Sequence, residues 1–401
     1  MRTVLVLLAT TTALSQTPLQ TQASHTTENL RGVSAVTQKI AWASGTHGTY
    51  LRTIDAGRTW IPAQVADAAT LDFRAVVAFS ADEAFLMSAG PGDQSRIYHT
   101  ADAGQHWQLQ LTNRNPKGFF DSMVFWDPTH GIVLGDPIPD ESGQLKFELL
   151  LTNDGRTWTQ LPPAHLPPAL EGEGAFAASN TCVAILSDRI VIPSEARDPG
   201  VAGTTPQSPS TTPPTQPWKS GASAPRKLEE KNGASAPEGI DPNIWFATGG
   251  KAARVFYSPD RGQTWQVFDA PILHGPDSAG IFSIAFRDQT HGVIAGGDYK
   301  QPDQDGPDLA FTNDGGKTWT LSQTHPQAYF SAAAYDRKSK NEAHPRLLIV
   351  GPELIYDFRP SSNPTGFSPP QKPGIQFNAV SPLPKGGAIL VGPKGSIAMV
   401  P

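Results

Sequence analysis

Acidic residues occur at positions where they could act together. Asp136 and Asp298 follow glycine at equivalent places in two similar stretches of sequence, Asp121 begins an apolar stretch, and Glu171 and Glu173 precede another. Two carboxyl groups roughly 5–10 Å apart can cleave a glycosidic bond as acid and base or nucleophile. The alternative is that Asp136 and Asp298 cap turns through their own backbone. Candidate catalytic residues are Glu173, Asp136, Asp298 and Asp121.

Further polar and aromatic residues stand at the ends of predicted strands, where they could bind a ligand or form salt bridges in solvent. These ligand-binding candidates are Arg31, Arg74, Glu171, Ser278, Tyr299, Tyr329 and Asn378. The sequence contains no H-E-x-x-H, G-x-S-x-G or Walker motif, and no Rossmann fingerprint in a strand–helix context. We therefore predict neither a metal site nor a cofactor.

A short motif, Ser/Thr-x-Asp-x-Gly-x-Thr-Trp, occurs five times. The third copy is one residue shorter, and the second has His106 in place of the late threonine. An aspartate can accept hydrogen bonds from backbone N–H groups across a turn, glycine permits positive φ, and the tryptophan buries a large ring. The motif predicts a structural hairpin without a catalytic role. Its aspartates and tryptophans are Asp55 and Trp60, Asp102 and Trp107, Asp154 and Trp158, Asp260 and Trp265, and Asp314 and Trp319.

The motif marks a repeat of about 50 residues, which is typical of a propeller blade. One interval, from Trp158 to Trp265, is about twice as long. Its excess falls in residues 188–240, which are rich in proline, serine and threonine and predict a disordered insertion within one blade.

Each repeat predicts four antiparallel strands, so the chain is expected to be an all-β, seven-bladed propeller spanning residues 21–401. The last unit has only three strands, and a strand near the N-terminus is expected to complete it and close the ring. Six blades are the alternative, if the degenerate unit from Tyr329 to Pro360 is a loop.

The bulk composition limits the class of function. The chain has 401 residues, a net charge of −6 and one cysteine, Cys182. The negative charge argues against a nucleic-acid partner, and no later segment is apolar enough to span a membrane. Residues 1–15 resemble a secretory signal peptide, with Arg2 before an apolar stretch and small residues before Gln16. We expect export to the periplasm or the extracellular space.

The five motifs resemble the Asp-box, or BNR repeat, of β-propellers. Their spacing and the Gly-Asp segments are most similar to the photosystem II stability/assembly factor-like family, and more distantly to sialidases. The sialidase pattern is incomplete, because no Arg-Ile-Pro segment precedes Trp60 and only Arg31 and Arg74 begin inner strands clearly. The resemblance to the assembly-factor family implies a scaffold or binding protein.

Three functions are therefore expected in order. The first is an exported, non-enzymatic propeller that binds a protein or another ligand on one face of the disc. The second is a glycoside hydrolase or lyase with carboxylates at the channel mouth. The third is a carbohydrate-binding module that exposes Tyr299 and Tyr329 there. The partner is an unidentified protein or a glycan.

Overall fold

The structure is a computed structural model that describes residues 19–186, 241–323, 329–339, 342, 345–352, 354–358 and 373–401. The predicted signal peptide at 1–15 and the predicted insertion at 188–240 lie outside the described residues. The described part consists of short strands and two single-turn 3₁₀ helices, Gly92–Gln94 and Pro163–His165.

Seven antiparallel sheets follow one another along the chain, each with its first strand innermost. Strand β1 is Gln20–Gln22. Blade 1 consists of β2 (Leu30–Ala35), β3 (Ala41–Gly45), β4 (Thr49–Thr53) and β5 (Ile61–Gln64). Blade 2 consists of β6 (Asp72–Ala78), β7 (Ala84–Ala89), β8 (Arg96–Thr100) and β9 (Gln108–Thr112), and blade 3 of β10 (Phe120–Asp127), β11 (His130–Pro139), β12 (Leu145–Thr152) and β13 (Thr159–Gln160). Strand β14 is Glu173–Gly174. Blade 4 consists of β15 (Val183–Ile185), β16 (Ile244–Ala247), β18 (Arg254–Ser258) and β19 (Gln266–Asp269), with the short strand β17 (Gly249–Gly250) between β16 and β18 in the sequence; blade 5 consists of β20 (Ala279–Phe286), β21 (Gly292–Asp298), β22 (Leu309–Thr312) and β23 (Thr320–Leu321). Blade 6 consists of β24 (Ala332–Tyr335), β25 (Leu347–Val350) and β26 (Ile355–Phe358), and blade 7 of β27 (Ala379–Pro382), β28 (Ala388–Gly392) and β29 (Ser396–Val400).

The blades form a closed ring. The inner strand of each blade contacts that of the next, and the inner strand of blade 7 contacts that of blade 1. Strand β1 pairs antiparallel with β29 and so supplies the fourth strand of blade 7, with Thr21 opposite Ala398. The predicted seven-bladed all-β fold is confirmed, and the six-bladed alternative is wrong because β24, β25 and β26 form a sheet of their own.

Blade 4 contains the long interval between motifs. Its strands β15 and β16 pair directly, with Val183 opposite Phe246, although residues 186–243 separate them in the sequence. The predicted insertion at 188–240 falls between these two strands in the sequence, and it stays a prediction because its residues lie outside the described ranges.

Each Asp-box closes the hairpin between the third and fourth strands of its blade. In the first copy, Thr53 Oγ1 donates to Asp55 Oδ1 at 2.9 Å and accepts from Gly57 N–H at 3.0 Å. Thr59 N–H donates to the same carboxylate at 2.9 Å. The other four copies repeat this pattern. Hydrogen bonds to the charged carboxylate lower its pKa, to about 2 for Asp102.

The tryptophan of each box packs on the preceding blade. Trp60 joins a core cluster with blade 7 residues such as Leu383 and Ile389, and Trp107 packs with Trp42 of blade 1. A glutamine on the preceding outer strand can hold the indole: Gln22 Oε1 accepts from Trp60 Nε1 at 2.9 Å, and Gln110 Oε1 accepts from Trp158 Nε1 at 3.0 Å.

Side-chain hydrogen bonds near the channel link five of the seven pairs of neighbouring blades. Apart from the short pairing of β17 with β20 at Gly280, inner strands have no pairing strand on the channel side, so their backbone groups need other partners. We call the bonds made by Ser34, Asn180, Thr181, Ser283 and Ser381 the inner belt. Its members are Ser34 Oγ accepting from Ala78 N–H at 3.0 Å, Asn180 Oδ1 from Met123 N–H at 2.7 Å, Ser283 Oγ from Ala333 N–H at 2.9 Å and from Thr181 Oγ1 at 2.9 Å, and Ser381 Oγ from Ala35 N–H at 3.0 Å.

Among the described residues, no helix has the length and apolar character needed to cross a membrane.

Replacing Gln22 with alanine is expected to weaken ring closure. The change leaves the Trp60 Nε1 donor without its partner, in a tryptophan that is 1% exposed, and removes the 3.2 Å bond from Gln22 Nε2 to Ala56 O. A buried donor without a partner costs about 1–3 kcal/mol, so we expect Gln22→Ala to lower the free energy of unfolding by that amount in urea denaturation. Gln20→Ala, at an exposed position of the same strand, is the control. Equal effects of the two substitutions would contradict the role of Gln22.

Candidate functional site

A cavity of about 450 Å³ opens at the end of the channel where the inner strands begin. We call it the upper cavity. Propeller geometry predicts this position, because residues just before the inner strands converge at one mouth. Its lining residues are Arg31, Arg74, Phe119, Asp121, Asp136, Ala175, Phe176, Ala177, Ala178, Phe282, Tyr299, Tyr329, Ser331 and Asn378.

Two arginines share one carboxylate at the rim. Arg74 Nε donates to Asp72 Oδ2 at 2.9 Å, while Arg31 Nε lies 3.7 Å from Asp72 Oδ1. Arg74 also reaches across the channel and donates to Ala177 O at 3.1 Å. Arg31 Nε is buried without a hydrogen-bond partner among the described residues, and burial lowers the pKa of its guanidinium. Two cations beside one carboxylate leave this side of the cavity positive.

Two carboxyl groups face the arginines from blade 3. Asp121 is 1% exposed, and burial, reinforced by the charge of Asp136, raises its pKa well above the usual value. Its Oδ2 atom has no hydrogen-bond partner within the described part of the chain. Burial also raises the pKa of Asp136, although Ala175 N–H donates to Asp136 Oδ1 at 3.0 Å and opposes the shift. A carboxyl with a raised pKa can hold a proton near neutral pH.

Aromatic side chains form the opposite wall. Phe282 stands in edge contact with Phe176 at 4.5 Å and with Tyr329 at 5.7 Å between ring centroids. Tyr299, whose ring lies 6.3 Å from that of Phe282, is 48% exposed. The upper cavity therefore combines a positive rim, a buried Asp121 beside a partly buried Asp136, and an apolar wall with an exposed phenol.

The structure brings seven of the sequence-predicted residues together in this cavity. They are Arg31, Arg74, Asp121, Asp136, Tyr299, Tyr329 and Asn378. Asn378 supports the rim by donating from Nδ2 to Leu30 O at 2.8 Å.

Four other candidates do not line the cavity: Glu171, Glu173, Ser278 and Asp298. Glu171 is exposed, and Ser278 is buried with its carbonyl accepting from Tyr299 N–H. Asp298 is 3% exposed and caps its own turn, because Lys300 N–H donates to its Oδ1 at 2.9 Å. The capping interpretation describes Asp298 and not Asp136.

Glu173 is held inside the protein by Arg254. Arg254 Nε donates to Glu173 Oε1 at 2.9 Å, Arg254 Nη2 bonds Glu173 Oε2, and Thr248 Oγ1 donates to Oε1 at 2.6 Å. The glutamate side chain has no exposed surface. Its carboxylate thus joins β14 to blade 4 and faces a structural partner.

Sequence reasoning missed Asp72 and the phenylalanines of the wall. Asp72 stands two residues before Arg74, at the start of an inner strand, which is the signal that could have found it. Phe119, Phe176 and Phe282 occupy comparable positions at or near the starts of inner-strand segments, but apolar residues there resemble ordinary core. Within the described ranges, no group of three or more His, Cys, Asp or Glu side chains is arranged to hold a metal ion.

Comparison with known proteins agrees with this architecture. Residues 11–119 match the model of a family described as photosynthesis system II assembly factor YCF48. No curated protein sequence matches the chain.

Three solved structures share the fold. YCF48 bound to D1 peptide has a TM-score of 0.56 at 14% identity, with 96% of each chain covered. The WD40 β-propeller domain of Doa1 has a TM-score of 0.53 at 9% identity, again with 96% of each chain covered. The GH74 xyloglucanase from Xanthomonas campestris has a TM-score of 0.56 at 16% identity, and the match covers 95% of this chain and 53% of that one.

Structural similarity at these sequence identities establishes the fold alone. The predicted resemblance is confirmed by the family match over residues 11–119 and by the five boxes that close hairpins throughout the ring. The chain is therefore a β-propeller of the BNR type.

Proposed function

We propose that this propeller is an exported, non-enzymatic binding protein that takes an extended segment of another protein into the upper cavity. The observation that carries the proposal is the arrangement of Arg31, Asp72 and Arg74 beside an aromatic wall. Asp72 lies within 4 Å of both cations, so the rim retains a positive charge for an incoming acidic group. The aromatic wall supplies apolar contact, and Tyr299 is exposed at its edge.

The similarity to YCF48 supports this proposal, since that protein was solved with a D1 peptide bound. A rigid ring that positions variable loops suits recognition of a partner. The signal-like sequence of residues 1–15 supports export.

A hydrolase remains the second candidate because of one specific observation, the interaction between the carboxyl groups of Asp121 and Asp136. A protonated acid near a second carboxylate is the arrangement that glycosidases use. Asp121 is almost entirely buried, however, and Arg74 also acts on its charge. A carbohydrate-binding function would use Tyr299 as a stacking platform.

Binding at the upper cavity can be tested with a displayed library of random 12-residue peptides selected on the full chain. We expect acidic peptides containing aromatic residues, whose affinity falls at least tenfold in the double variant Arg31→Ala/Arg74→Ala because both rim cations are lost. Arg58→Ala, an exposed arginine in an Asp-box, is the matched control and should bind as the wild type does. A library that yields no binders, or binders that ignore the double variant, would reject the proposal. A xyloglucan oligosaccharide that binds or is cleaved would favour the carbohydrate functions.

If the protein is exported as proposed, its mature form has a defined N-terminus. When the full chain is expressed in a bacterium with a secretion pathway, the protein is expected in the periplasmic or external fraction, beginning at Gln16 after cleavage of residues 1–15. N-terminal sequencing of each fraction checks this. A chain that stays uncleaved in the cytoplasm would refute export while leaving peptide binding untouched.

Asp121→Asn is expected to stabilise the protein more at pH 8 than at pH 5. The folded-state pKa of Asp121 is raised above its unfolded value of about 3.9. The wild type therefore loses stability as pH rises from the unfolded pKa through the folded one, and the neutral amide removes that loss. Thermal unfolding at both pH values measures the difference.

Asp314→Asn is the contrasting control for this measurement. Its carboxylate anchors the Thr318 N–H at 3.0 Å and has a lowered pKa, so its loss should lower the melting temperature at both pH values. A melting temperature of Asp121→Asn that runs parallel to that of the wild type would contradict the raised pKa. Loss of any glycosidase activity in Asp121→Asn would support the hydrolase.

A further inference from the structure

The opposite end of the channel contains a second cavity, of about 510 Å³. We call it the lower cavity. It is lined by the later residues of the inner strands of all seven blades and shares no lining residue with the upper cavity. Its volume lies within the range of about 300–1,000 Å³ that is usual for small-molecule sites.

The channel wall of the lower cavity is apolar. Partly buried aliphatic side chains from six blades face it: Val33, Val77, Val124, Ile185, Ala285 and Ala334. An apolar body of a ligand can occupy this space by displacing water.

The polar groups at the inner end of the cavity already have partners. Ser34, Asn180, Thr181 and Ser381 line the cavity and belong to the inner belt, where their side chains bond neighbouring strands. A peptide backbone entering here would leave its own N–H and C=O groups without partners, which is costly. An alkyl chain carries no such groups, so the wall favours an aliphatic ligand over a peptide.

Three charged residues line the cavity, and two of them are paired. Asp127 accepts from Thr129 N–H at 2.7 Å and from His130 Nδ1 at 2.8 Å. Arg287 Nε lies 3.2 Å from Asp288 Oδ2. Arg337 has no hydrogen-bond or ion-pair partner among the described residues, and burial alone acts on its charge. Burial lowers the pKa of its guanidinium to about 10, with no neighbouring anion to oppose the shift.

The surroundings of Arg337 increase the positive charge at this rim. The adjacent Asp336 is committed to Lys338 N–H at 2.7 Å, to Gly387 N–H at 3.3 Å and to Arg346 at 3.8 Å. The side chains of Lys338 and Lys385 are exposed on neighbouring turns of blades 6 and 7. A partly buried cation without a partner is unfavourable by itself and gains from an incoming anion.

We propose that the lower cavity binds an amphiphilic carboxylate of the fatty-acid type, with its alkyl chain in the channel and its carboxylate paired with Arg337. The aliphatic wall, the hydrogen-bonded polar groups of the inner belt and the buried guanidinium of Arg337 each select one part of that ligand. This site is separate from the peptide site proposed for the upper cavity, and either can fail without the other.

Calorimetric titration of the full chain with decanoate, below its micelle concentration at pH 7.5, tests the proposal. The full chain is used because Leu186, which precedes residues 187–240, lines the lower cavity. We expect Arg337→Met, which keeps an apolar stem, to weaken decanoate binding at least tenfold, and Arg337→Lys to retain part of it. Decan-1-ol, which lacks the anion, should bind the wild type and Arg337→Met equally.

Two controls protect the interpretation. Arg337→Met should unfold at the same temperature as the wild type or higher, since an unpaired cation is removed, so a loss of binding is not a loss of folding. Arg74→Met, in the upper cavity, should leave decanoate affinity unchanged. Absence of decanoate binding to the wild type, equal affinity in Arg337→Met, or weaker binding in Arg74→Met would each overturn the proposal.

Discussion

The fold depends on supplying hydrogen-bond partners to the backbone groups of the inner strands. Each blade places its first strand at the channel, and apart from the short pairing of β17 with β20 no strand of its sheet pairs the edge on that side. An unpaired buried backbone group costs free energy comparable to a lost hydrogen bond. The inner belt meets part of this requirement with small side chains. Ser34 accepts a hydrogen bond from a backbone N–H of blade 2, and Ser381 accepts one from a backbone N–H of blade 1. The channel contains two cavities that share no lining residue.

The two cavities differ in where their charged residues lie. The upper cavity collects charged residues because the strand starts point there, and the loops that follow can vary without disturbing the sheets. Asp121 and Arg74 stay close because both begin inner strands of adjacent blades. The lower cavity is formed by the strands themselves, whose alternate side chains must be apolar to pack. Its charged lining residues Asp127, Arg287 and Arg337 stand at or just after the ends of inner strands.

The fold could be predicted because its determinants are local and repeated. The Asp-box contains its own hydrogen-bond partners, so five copies predict five hairpins, and the spacing predicts the ring. The site was predictable in part: Arg31, Arg74, Asp121 and Asp136 follow from strand position alone. Glu173 shows where this reasoning fails. Its position before an inner strand fits the cavity, but Arg254, 81 residues later in the sequence, captures its carboxylate. The direction in which the Glu173 side chain points depends on a long-range ion pair that no local pattern encodes.

Ring closure by β1 has a consequence for the order of assembly. The strand Gln20–Gln22 is made first, yet its partner Ser396–Val400 is the last strand of the chain. Contacts between residues so distant in sequence are slow to form, because nearly the entire chain must be brought back on itself. Until then blade 7 and blade 1 face each other across an open seam, with exposed strand edges that invite pairing with other molecules. The newly synthesised chain is therefore most vulnerable to aggregation during the interval between completing its sixth blade and recapturing its own beginning.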